Sequence, residues 1–228
     1  NPKEITISPY SSTSSNIDSY FFQSYDKNKL NDLKTLLNIG SFNSAIIFCN
    51  KKNDIDKVHR FLKKNNYKSV CLHGDMNQGS RTNSLEEFKN KSANILVASD
   101  VAARGIDVKD LSHVFNYDVP NNPEDYVHRI GRTGRAGKKG KAYTIFNEKD
   151  EKNILLIEKL IKKKVKKLNI KDINFNNRNT NIKDLEKINP DKIVSKQNNK
   201  SKFLPVENFL NFQESGKIPE FLKSKKSI

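Results

Sequence analysis

The sequence predicts an α/β fold, a doubly wound and mostly parallel sheet flanked by helices and followed by a low-complexity tail. Three observations lead there. Short runs of β-branched and aromatic residues are almost continuously apolar, as strands covered on both faces must be. Amphipathic segments of helical period separate these runs, which is the pattern of layered helices over a sheet. After about Leu168 the composition shifts to asparagine and lysine with few aromatic residues, too little to build a core.

The elements follow in order. Residues 1–16, including ISPYSSTSSN, read as a lead-in. The expected strands are IDSYFFQSY (17–25), SAIIFC (44–49), SVCL (69–72), NILVAS (94–99), HVFNYD (113–118) and AYTIF (142–146). Helices are expected at 27–38, 53–65, 80–90, 123–130 and 148–167. The one starting at 123 carries its own signals: Asn122 at the N-cap, Pro123 in the first turn, then Glu124 and Asp125 at the positive dipole end. The folded domain is therefore placed at 17–168 and the basic tail at 169–228. Within the tail, FLPVENFLNF and IPEFLK are apolar enough either to dock elsewhere or to fold back as a short helix.

Charge narrows the partners. The 228 residues carry a net +16, with 35% hydrophobic and 30% charged residues, and the pI is near 9.7. Such a balance favours polyanions over acidic proteins. Twelve basic and seven acidic residues after position 170 leave most of this charge in the folded part. Cys49 and Cys71 sit in apolar runs without a CxxC pair, so no disulfide framework and no metal site is expected, and the compartment reads as reducing. No signal-peptide pattern opens the chain, and no apolar run approaches the roughly 20 residues that span a bilayer. The expectation is a cytoplasmic location without membrane contact. The chain begins at Asn1 and reads as a piece of a longer protein.

Four polar clusters are expected in the loops beyond the carboxyl ends of strands, where open α/β sheets bind ligands. IIFCNKK (46–52) ends a buried strand in Asn50, Lys51 and Lys52. LHGDMNQGSRTNSLEEF (72–88) places Gly74 after a strand and Gln78 and Arg81 near the start of a helix. That arrangement suits close backbone approach and a phosphate, though an ordinary turn and cap would use the same residues. ILVASDVAARGIDV (95–108) offers the Ser99 hydroxyl to a phosphate oxygen and Asp107 to a ribose hydroxyl, with Arg104 and Gly105 between. The alternative is that Asp100 caps a short helix.

The fourth cluster, HRIGRTGRAGKKG (128–140), is the most informative. His128 and Arg132 are four apart and share a helical face. Gly131 and Gly134 then open the helix so that Arg132 and Arg135 project near its end. Arginine is a planar, permanently charged fork that matches phosphate oxygens. A solvated basic face would have no use for the glycines.

Taken in this order, the clusters closely resemble the second RecA-like domain of DEAD-box ATP-dependent RNA helicases over roughly residues 1–165. IIFCNKK resembles the family's motif IV, QGSR its QxxR element, SDVAARGID motif V and HRIGRTGR motif VI. Ser99 stands where threonine is more usual, and CNKK lacks the threonine often found after the asparagine. The resemblance implies a RecA-like fold. It implies that Arg132 and Arg135 are arginine fingers for the ATP γ-phosphate, and that Asp107 and Gly105 meet the nucleotide. By the same resemblance His128 and Arg104 couple this domain to an N-terminal RecA-like domain, while Gly74, Gln78, Arg81 and Ser99 line the backbone of single-stranded RNA. ATP would come with Mg²⁺ held by that N-terminal domain, because no G-x-x-x-x-G-K-[ST] loop and no D-E-A-D run occurs in the 228 residues. The expected protein is a monomer that cannot hydrolyse ATP alone. Two other readings stand beside it: a non-catalytic RNA-binding module, and a fragment of a superfamily 2 DNA helicase.

Overall fold

The computed structural model describes residues 16–24, 29–39, 41–106, 108, 111–135 and 137–170. The tail, most of the lead-in and Asp107 lie outside them. The described elements are β1 (Ile17–Gln23), α1 (Lys29–Leu37), β2 (Ala45–Phe48), α2 (Lys52–Lys64), β3 (Ser69–Leu72), α3 (Gln78–Lys89) and β4 (Ile95–Ala98). They continue with α4 (Asp100–Ala103), β5 (His113–Asn116), α5 (Pro123–Ile130), β6 (Gly140–Phe146), a 3₁₀ turn (Glu148–Asp150), α6 (Glu151–Ile161) and β7 (Lys166–Asn169).

The strands form a seven-stranded sheet in the order β3-β4-β2-β5-β6-β1-β7. Every pairing in it is parallel, a step beyond the mostly parallel sheet expected. Alternate residues of each strand feed opposite faces. Phe21, Ile46, Phe48, Leu96 and Val114 pack with Tyr126 and Ile130 of α5 and with Ile154 and Ile157 of α6. Phe22, Ile47, Val97, Phe115 and Tyr143 face the other way, against Leu33 and Leu36 of α1 and Ile55, Val58 and Leu62 of α2. Helices on both faces bury β2, β4 and β5 completely, which is why those runs read as continuously apolar.

Two expectations are corrected. The helix expected over 148–167 is a 3₁₀ turn followed by α6, which stops at Ile161 where Lys162 adopts a left-handed φ of 52°. The rest becomes β7, pairing Tyr20 with Lys166 through Gln23 with Asn169. Its lysines look like a helical polar face, yet only Leu168 within the strand is buried, as on a half-covered edge. The small-residue turn after Ser99 is the short helix α4, and Ser99 rather than Asp100 caps it by accepting from Ala102 N at 3.4 Å. The cap expected at Asn122 is present: its side chain accepts from Glu124 N at 3.2 Å, with Pro123 as the first helical residue.

Close packing requires two glycines here: Gly140, where a Cβ would lie 2.5 Å from Gly134 N, and Gly134 itself. The φ of Gly134 is +69°, and a Cβ there would sit 2.4 Å from Ile17 Cγ1, the first residue of the sheet's β1. Gly134→Ala should destabilise by about 2–5 kcal/mol, combining a left-handed cost of about 1–2 with overpacking of about 1–3. Gly137 also has a positive φ, +75°, but open space around it. Gly137→Ala should show only the backbone cost of about 1–2 kcal/mol. Urea unfolding of both variants checks the difference; equal effects would mean that the contact with Ile17 does not matter.

Candidate nucleotide and nucleic-acid interface

The carboxyl ends of β2, β4 and β5 converge on one side chain. Arg129 lies on α5 in the same row as Tyr126 and Ile130 and is 1% exposed. Its Nε donates to Asp100 Oδ1 at 2.7 Å and its Nη2 to Asp100 Oδ2 at 2.6 Å, a two-pronged pair. Nη2 also donates to Asn50 Oδ1 at 2.7 Å, and Nη1 to Asp118 O at 2.7 Å and Asn116 Oδ1 at 3.5 Å. The guanidinium carbon stands 5.2 Å from the centre of the Phe48 ring. All five N–H groups are thereby engaged.

The partners are themselves fixed. Asn50 donates from Nδ2 to Val119 O at 2.8 Å, and its backbone N–H reaches Asp118 Oδ2 at 3.0 Å. Lys29 of α1 binds the other oxygen of Asp118 at 2.6 Å. Three of the four expected clusters are thus joined through a residue to which the sequence reading gave no role. The periodicity of α5 carries the signal that finds it: Arg129 falls on the apolar row, and an arginine there needs a carboxylate.

Beside this hub is a cleft lined by Phe48, Asp100, Arg104, Asp125, His128 and Arg132. Arg104, 63% exposed, reaches Asp125 Oδ1 through Nη2 at 2.8 Å. His128 Nδ1 is 3.9 Å from the same oxygen. Arg132 donates from Nη1 to Ile106 O at 3.3 Å. Burial, and then the charge of Arg135, pull its pKa down from the usual arginine value. Arg135 is exposed and donates from Nε to Gly131 O at 2.5 Å. Gly105 follows α4 with a φ of +74°.

The fourth cluster is not a loop beyond a strand's carboxyl end. It is the second half of α5 and the turn after it, where Thr133 bridges to Leu111, just ahead of β5, and hydrogen bonds its carbonyl. Because α5 runs antiparallel to the strands, its arginines are spread along the side of the sheet. Arg129 and Arg132 reach the cleft, while Arg135 lies on the exposed turn.

The remaining candidates gather at the other edge. Gly74 follows β3, and a Cβ there would meet nothing within 4 Å. Gln78 opens α3 and is exposed, and Asn77 caps that helix by accepting from Ser80 N at 2.8 Å. Arg81 donates from Nη1 to His73 O at 3.3 Å. Ser99 directly follows the neighbouring β4, so Gly74 and Ser99 fall just beyond adjacent strand ends, with Gln78 and Arg81 on the α3 that follows Gly74. Asp107 is outside the described residues.

The comparisons with known proteins bear on this arrangement. The family described as "Helicase conserved C-terminal domain" matches residues 28–137. The DEAD-box ATP-dependent RNA helicase RhpA of Helicobacter pylori is 42% identical over 77% of this chain and 36% of its own length. The chain thus spans about a third of the curated relatives it matches. The E. coli DEAD-box protein SrmB, solved bound to regulator of ribonuclease activity A, is 32% identical with a TM-score of 0.65, over 74% of this chain and 99% of that one. The S. cerevisiae protein Dbp5, solved bound to RNA and ADP BeF3, is 30% identical with a TM-score of 0.64, over 71% of this chain and 43% of that one. No helix among the described residues is long and apolar enough to cross a membrane. With its all-parallel RecA-like sheet, its hub at the strand ends and these matches, the chain belongs to the DEAD-box family, as a C-terminal domain.

Proposed function

We propose that this chain is the C-terminal half of an ATP-dependent RNA helicase, contributing arginines to ATP and a backbone-binding surface to single-stranded RNA. The observation that carries the reading is a division of labour among arginines. Arg129 spends every donor on the fold. Arg132 and Arg135 each bond a backbone carbonyl and, among the described residues, no carboxylate. Their remaining N–H groups suit phosphate oxygens.

The same surface does not fit a magnesium ion. Asp100 and Asp125, the carboxylates facing the cleft, are bonded to Arg129 and Arg104. Mg²⁺ and the phosphate-binding loop accordingly fall to an N-terminal RecA-like domain, and the isolated chain is an inactive ATPase. In this reading Arg132 and Arg135 meet the γ-phosphate as it is transferred, and Asp107 and Gly105 hold the nucleotide. His128 and Arg104 couple the two domains. Gly74, Gln78, Arg81 and Ser99 hold RNA by its backbone at the β3–β4 edge. The protein acts as a monomer in the cytoplasm.

The test is RNA binding by the 228-residue chain across a salt series. Affinity should fall with a log–log slope of about −0.7 per phosphate neutralised, whatever the base sequence. Arg81→Ala should flatten the slope by about 0.7. Strong dependence on base identity with little dependence on salt would overturn the backbone assignment.

A further inference from the structure

A second cluster lies on the opposite face from α5. Helix α2 packs on β3, and the side chains of Ser69, Cys71 and His73 follow one another at the strand's period of two. From α2, Asp56 meets His73 Nε2 with Oδ1 at 3.3 Å, and one turn later His59 Nδ1 meets Ser69 Oγ at 3.2 Å. Cys71 sits between these two contacts, half-buried among the residues under α2. One ligand atom each from Asp56, Cys71 and His73 lies within 4.8 Å of the other two.

We propose that Asp56, Cys71 and His73 bind a single divalent cation of borderline softness, Zn²⁺ first among them, with solvent as a fourth ligand. The donor set is oxygen, sulfur and nitrogen, which tetrahedral Zn²⁺ accepts together. Metal–ligand bonds of about 2.0–2.2 Å put nitrogen and oxygen roughly 3.3–3.5 Å apart in such a site. Asp56 and His73 already stand at that spacing, and the Cys71 sulfur lies within 4.8 Å of both.

Other observations agree. One thiolate and one carboxylate neutralise a divalent charge, so the half-buried site carries no net charge when filled, the thiol proton passing to solvent. Asp75, two residues from His73, is committed to Lys52 at 2.5 Å and does not compete. The sequence reading excluded a metal site because no CxxC pair exists; here the ligands come from a helix and a strand fifteen residues apart. A cation would tie α2 to the start of the segment leading into α3, whatever α3 touches.

Titrating the metal-free 228-residue chain with Co²⁺ tests the site. A thiolate-to-metal charge-transfer band should saturate at one ion per chain and vanish when Zn²⁺ displaces the Co²⁺. Cys71→Ser should abolish the band, and Asp56→Asn or His73→Gln should weaken affinity by about 10-fold or more. Cys49→Ala, removing the thiol buried elsewhere in the core, should leave the band intact. Circular dichroism shows whether each variant is folded. A folded wild-type chain without the band, or a band that survives Cys71→Ser, would overturn the proposal.

Discussion

Arg129→Ala is expected to destabilise the domain by about 3–5 kcal/mol, the cost of removing one partner from a buried ion pair. The loss goes beyond the pair itself. Asp100 keeps a largely buried carboxylate without its partner, and Asn50 Oδ1 and the Asp118 carbonyl lose their donors. Domains are stable by only about 5–15 kcal/mol, so a substantial part of the total is at stake. Arg129→Lys should recover little, because a point charge cannot reach oxygens on three strand ends at once. The measurement is denaturant unfolding, extended to a double-mutant cycle with Asp100→Asn. A loss below about 1 kcal/mol would mean that Arg129 is not the hub its geometry describes.

Arg132→Ala and Arg135→Ala should do the reverse, leaving unfolding unchanged while turnover collapses. In the full-length protein kcat should fall by on the order of 10²-fold or more, within reach of the roughly 10³- to 10⁵-fold that arginine fingers contribute elsewhere. ATP affinity should change far less, since the charge is wanted where the transition state develops it. Lysine should rescue poorly, for want of the planar fork. Lys138→Ala, in the same basic run but exposed, is the control and should be nearly silent. If Lys138→Ala matched Arg135→Ala, the run would be a diffuse electrostatic patch. The three arginines of one eight-residue stretch would thus separate into one stability phenotype and two catalytic ones.

That separation shows how far the sequence could be read. The central strands were legible because they are buried on both faces, so Ile46–Phe48 or Leu96–Ala98 admit no polar break. The start of α5 was legible because Asn122, Pro123, Glu124 and Asp125 each satisfy a local need of a helix start. β7 was not, because the pairing of Lys166–Asn169 with β1 joins residues more than 140 positions apart and leaves no local trace. Among the clusters, residue type and spacing pointed to anion binding but could not rank the arginines. Arg129 and Arg132 have the same chemistry and similar neighbours. Only the Asp100 carboxylate, delivered by a different strand, turns one of them inward.

The placement of β1 beside β7 has a mechanical consequence. The first and last described strands lie side by side and parallel, so tension applied before Ile17 and after Asn169 pulls them past each other along their length. Such a load falls on the whole ladder from Tyr20–Lys166 to Gln23–Asn169 together instead of peeling one pair at a time. On β1's other side the seven-residue register with β6, Ile17–Gly140 to Gln23–Phe146, resists the same sliding. Forced unfolding follows the rate of the first rupture, and here that rupture must break several hydrogen bonds at once. A domain strung between moving parts can in this way transmit a pull without being undone by it.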